Sequence, residues 1–169
     1  MSWSLVLTVG AALLAGFLGW GALLLRRSLG SSMQRLALVE LASILALAEE
    51  CRRTVRDRLK IELDPRDPDA AARALDELVL SGRLRSIFKA DGYDMRYAEP
   101  VGAFLSELIR RHARAEWADD ELGPMLVIHR PGEVVETHPF LKAVRHHTHG
   151  TPGQLHAYVM ELVTPSTER

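Results

Sequence analysis

The chain has a single cysteine, Cys51, so it cannot close an intrachain disulfide, and this fits a reducing compartment. It carries almost no net charge, formally −1 at pH 7, which leaves no global field to recruit nucleic acid or acidic lipid. The short catalytic signatures are missing too: there is no HExxH, CxxC, GxSxG, glycine-rich phosphate loop or GxGxxG. These absences, in a small chain, argue against an enzyme. No lysine or arginine occurs before Arg26.

What occupies that uncharged beginning is the apolar run Trp3 to Leu25, WSLVLTVGAALLAGFLGWGALLL, closed by Arg26 and Arg27. As a helix it reaches roughly 34 Å, enough for a hydrocarbon core of about 30 Å. A signal peptide would have a basic start, a shorter apolar stretch and a small-residue cleavage site. Here only Met1 and Ser2 precede the run, and the two arginines stand where cleavage would occur. Residues 1–27 are therefore expected to be an uncleaved single-pass transmembrane anchor. Arg26 and Arg27 assign the orientation, with the N-terminus outside and the remaining chain on the cytoplasmic side of the cell membrane. Within the run, Ala11, Ala15 and Gly19 form a small-residue stripe with Ala12 and Gly16 beside it, suited to self-association or to docking on another membrane protein. Residues 26–62 hold eight basic and five acidic side chains, a surplus that suits anionic headgroups of the lipid bilayer.

Residues 28–163 are expected to form one cytoplasmic α+β domain, mostly helical with two β-hairpins, and residues 164–169 a disordered tail. A helix begins near Met33, with Ala37, Leu41, Ile44, Ala48, Cys51 and Val55 in the 4-3-4-3-4 spacing of a coiled-coil seam. The stretch LALVELASILALA is apolar over more than one stripe, so burial in the domain's own core competes with a pairing stalk. Cys51 on that seam reads as a small buried hydrophobe. Asp67 as cap, Pro68 in the first turn and Gly82 just past the end predict a helix over 68–81. In RLRSIFKADGYDMRYA the period changes to two, and Asp91-Gly92 predicts a hairpin turn. A helix is predicted from Pro100 to about Ala115, followed by an acidic loop, WADDELG. Met125 to His138 is predicted as a hairpin around Pro131-Gly132. Pro139 opens a helix to about Thr148, and Thr151 with Gln154 marks a capping box for a last helix, although LHAYVMELV also permits a strand.

The stretch AARALDELVLSGRLRSIFKADGYDMRYAEP resembles the recognition helix and wing of winged-helix domains, over residues 68–98 and with no more specific family. The resemblance implies a helix leading into a hairpin, in a fold that serves DNA binding or protein docking. The positions read as exposed on the helix, Asp69, Arg73, Asp76 and Glu77, are net acidic, and only the hairpin supplies Arg83, Arg85, Lys89 and Arg96. Nucleic acid is therefore not the expected partner.

Six of seven histidines lie in the last third: His129, His138, His146, His147, His149 and His156. His146 and His149 have the spacing of a helical metal pair, and His138 or His129 could reach them from the hairpin. Yet no carboxylate occurs between residues 137 and 160, and HHTHG falls at a helix end where solvated side chains belong. A solvated surface is preferred there over a metal or haem site and over a pH-responsive contact. The sequence thus points to a non-catalytic, membrane-tethered interaction module or accessory subunit, with no cofactor. A membrane-anchored winged-helix regulator and a histidine-ligated metalloprotein are the alternatives.

Overall fold

The computed structural model describes residues 43–89 and 96–164, a mixed α+β arrangement of six helices and one three-stranded antiparallel sheet. The apolar run, with Ala11, Ala12, Ala15, Gly16, Gly19, Arg26 and Arg27, lies outside the described residues. Among the described residues no helix is long and apolar enough to cross a membrane.

Helix α1 spans Ile44–Leu59 and buries Ile44, Ala48, Cys51 and Val55. The 4-3-4 seam expected for either a stalk or a core helix closes here on the domain's own interior. Cys51 is wholly buried, which pushes its thiol up to about 12 and leaves it inert as a nucleophile. Helix α2 spans Pro68–Leu80 with the predicted ends: the Asp67 carboxylate accepts from Ala70 N–H at 3.0 Å, and Gly82 takes the left-handed conformation at φ 72°.

The first predicted hairpin is overturned, because Arg83–Ile87 form a short helix, α3, instead of a strand. Leu84 is fully buried, and Ile87 and Phe88 pack on the same core. Their spacing of three and four is a helical face, and it coexists with the alternation of Leu84, Ser86 and Phe88. The expected wing therefore does not begin over these residues. The Asp91-Gly92 turn lies outside the described residues.

Helix α4, Ala98–His112, runs through the middle of the molecule and packs on α1 and on the later elements. Nearly every residue from Ala98 to Ile109 is buried. Gly102 permits one of its close contacts, since a Cβ there would stand 2.6 Å from Phe140 Cα. The buried Ser106 hydroxyl is satisfied by donating to the Gly102 carbonyl at 2.7 Å. The helix ends earlier than predicted because the chain enters a sheet at Ala115.

That sheet is a meander of β1 (Ala115–Asp120), β2 (Gly123–Arg130) and β3 (Glu133–Thr137), with β2 central. The expected acidic loop is thus a strand over most of its length, and only Glu121-Leu122 turn, held by Leu122 N–H donating to Asp120 at 2.7 Å. Trp117 pairs with Leu126 and Ala115 with Ile128 on the inner face, where a period of two is hidden among charges. The hairpin around Pro131-Gly132 is present as predicted, with Gly132 at φ 75°. Helices α5 (Pro139–His149) and α6 (Gln154–Val163) complete the domain. The last segment is helical, as the cap favoured, and Leu155, Val159 and Leu162 point inward. Ile109, Leu126, Ile128 and Leu162 make a small second core under the sheet, beside the main helical core.

Candidate functional site

The histidines do not converge. His146 is buried to 0% side-chain exposure, whereas His149, one turn further on α5, is exposed. His138 reaches Asp120 at 3.0 Å, and His129 lies 3.8 Å from Glu116 on the sheet. Among the described residues no group of three His, Cys, Asp or Glu side chains could hold a metal ion. The suggested triad of His138, His146 and His149, with His129 in reserve, is therefore distributed over separate places.

The histidines instead link elements far apart in sequence. His156 on α6 contacts Asp69 on α2 at 2.8 Å, and Arg73 grips both oxygens of the same carboxylate at 2.9 and 3.0 Å. Arg73 first, and His156 after it, hold the Asp69 carboxyl at about 2. The Asp120 carboxyl is also held low, chiefly by the Leu122 N–H, with a smaller contribution from His138. His112 donates from Nε2 to the Pro65 carbonyl at 2.9 Å. Arg85 Nη2 lies 2.6 Å from His147 Nε2. A guanidinium can only donate, so this His147 nitrogen is the acceptor and its ring is neutral. Burial, then Arg85, pulls the His147 pKa down in the same sense.

One residue central to this arrangement escapes a helical-wheel reading. Asp76 was expected on the exposed face of α2, yet it is only 5% exposed. Its oxygens accept from Gly153 N–H at 2.8 Å and Leu155 N–H at 2.7 Å, so α2 caps the start of α6. Donors at a helix start have no partner within their own helix, and a carboxylate there also meets the positive end of the dipole. The expected capping box is only half formed: Gln154 Oε1 accepts from Thr151 N–H at 3.3 Å, while Gly153 occupies the cap position at φ 82°. His146 Nε2 stands 3.1 Å from Asp76 Oδ1 but out of line for a hydrogen bond, so the contact is electrostatic. Burial lowers the His146 pKa, and nearby Asp76 only partly opposes this.

Surface clefts lined by described residues include two of different size. The larger, about 390 Å³, is bounded by Arg52, Glu62, Asp64, Pro65, Arg66 and Arg111. Its charges serve neighbours: Arg52 donates to Glu49 at 2.8 Å and to the Leu63 carbonyl at 3.2 Å, and Arg111 to Glu107 at 2.8 Å. The smaller, about 200 Å³, lies among the ends of α4, β2 and α6, where Arg130 bonds the Glu161 carbonyl. Neither lining holds a cysteine or a carboxylate–histidine pair.

The sheet offers a different surface. Ala115, Trp117, Leu126, Ile128 and Val135 face the helices, and Thr137 bonds Tyr158 of α6 at 2.7 Å. The alternate residues face outward: Ala118 beside Met125, Glu116 and Glu136 on either side of Val127, and His129 beside Val134. Val134 is 60% exposed, a large apolar side chain in water. Residues 113–137 carry six carboxylates against Arg114 and Arg130, in a chain that is nearly neutral overall. Comparison with protein-family models, curated proteins and solved structures returned no match.

Proposed function

We propose that the chain is a non-catalytic interaction module, an accessory subunit held by residues 1–27 at the cytoplasmic face of the cell membrane. The sheet's outer face is the surface it offers to a second membrane-associated protein. The observation that carries this reading is the contrast between the two faces of the sheet: one closes the core, while the other exposes Val134 beside acidic side chains. Most of the histidines serve as links between elements, which fits a structural part for them in such a module. The length and apolarity of Trp3 to Leu25 support the tether.

Full-length protein with an affinity tag tests the proposal in its native membrane. It is expected to stay in the bilayer through an alkaline carbonate wash, to expose its domain to protease only in inverted vesicles, and to bring down a stoichiometric partner. Release by carbonate, or recovery of the bare monomer after crosslinking, contradicts it.

A further inference from the structure

The register of the sheet gives its outer face a definite chemistry. Glu116, Val127 and Glu136 form one row across β1, β2 and β3. With strands about 4.8 Å apart, the two glutamate Cα atoms stand about 10 Å apart with the valine between them. An α-helix with its side chains is about 10–12 Å across, so the row matches the width of a single helix. Along β2 the apolar line continues through Met125, and Val134 stands on β3 beside His129, on the same strand and face as Glu136. The Glu116 side chain is 72% exposed, and His129 Nε2 lies 3.8 Å from it. Glu136 is exposed and has no ion-pair partner among the described residues.

We infer that this face takes a cationic amphipathic helix of the partner protein, laid along β2. Its apolar side chains cover Met125 and Val127 and reach Val134 on the β3 flank, while lysines or arginines on its two flanks answer Glu116 and Glu136. The inference rests on the proposed interaction role and adds the chemistry of the partner. The sign of the charge selects this occupant. Anionic headgroups and nucleic acid are repelled by a face edged with carboxylates. A second copy docked by a two-fold axis sets the same acidic face against itself. A partner with apolar residues along one ridge and cations on its flanks satisfies both parts of the surface.

The test uses full-length protein in nanodiscs of zwitterionic phosphatidylcholine, with empty nanodiscs as the blank. The probes are fluorescein-labelled helical peptides built from leucine–lysine heptads and the same heptads with glutamate for lysine. The lysine peptide is expected to bind, more weakly as salt rises, and the glutamate peptide to leave its anisotropy unchanged. Replacing Glu116→Gln and Glu136→Gln together should weaken binding about tenfold. Replacing the exposed Glu50→Gln and Glu77→Gln together should leave it unaltered. Equal binding of both peptides, insensitivity to E116Q/E136Q, or no binding of either peptide overturns the inference. The interaction role fails on a different result, the bare monomer recovered from the membrane, and it stands if a partner is recovered that seats elsewhere.

Discussion

In the helical block, carboxylates are directed at neighbours. Asp76 holds two backbone donors of α6, Asp69 holds Arg73 and His156, and Glu107 holds Arg111. On the outer face of the sheet, Glu116 and Glu136 flank a valine and meet water. The same residue type therefore serves cohesion in one region and display in the other. A buried carboxylate is costly unless its partners surround it, whereas an exposed one is nearly free to keep and available to a newcomer. That difference separates residues whose loss should unfold the domain from residues whose loss should only silence it.

The largest expected effect comes from breaking the cohesive side. Asp76→Ala strands the buried Leu155 N–H and leaves the partly exposed Gly153 N–H to water, at a cost of about 2–3 kcal/mol. Urea unfolding of the variant should show this as a lower midpoint, and amide exchange should speed up first in α6. An unchanged midpoint would mean that α6 does not depend on α2. Gly102→Ala pushes a methyl into the Phe140 backbone and should cost about 1–3 kcal/mol, or more if α5 cannot shift.

Acid should act on the same side of the comparison. An unfolded histidine titrates near pH 6.5, and burial lowers His146 below that in the fold. The unfolded chain thus binds the extra proton first. The stability His146 contributes is complete above about pH 6.5 and is lost as pH falls below it, by up to about 1.4 kcal/mol per pH unit. His146→Gln should flatten that slope, measured by denaturation across pH 5 to 7. A slope as steep as in the parent would place the sensitivity elsewhere, His147 being the next group whose pKa is depressed.

The smallest effect on folding is expected on the display side. Glu116→Gln and Glu136→Gln should each change stability by less than about 0.5 kcal/mol. A loss above about 1 kcal/mol at either position would make these carboxylates structural and erase the contrast between the two regions.

Some of this was legible from residue order and some was not. Asp67, Pro68 and Gly82 marked both ends of α2, and Pro131-Gly132 marked the hairpin, because caps and turns are local chemistry. Helix α3 was hidden because Leu84 and Phe88 satisfy both a helical and an alternating period, and burial decided between them. Strand β1 was hidden because Glu116, Asp119 and Asp120 look like a solvated loop when the pairing with β2 is unknown. The histidine-rich third was conspicuous, but its partners were not, since Asp76 and Asp69 lie on a helix remote in sequence. Asp76 itself carried no signal, for its burial depends on α6 docking from 77 and 79 positions away.

The central claim, that the outer face of the sheet is where the partner sits, is tested most directly by site-specific photo-crosslinking of the full-length protein in its native membrane. A photoreactive side chain at Val127 should give one stoichiometric adduct, and the same group at Arg53, exposed on α1, should give none. An adduct formed from Arg53 and absent from Val127 would contradict the account.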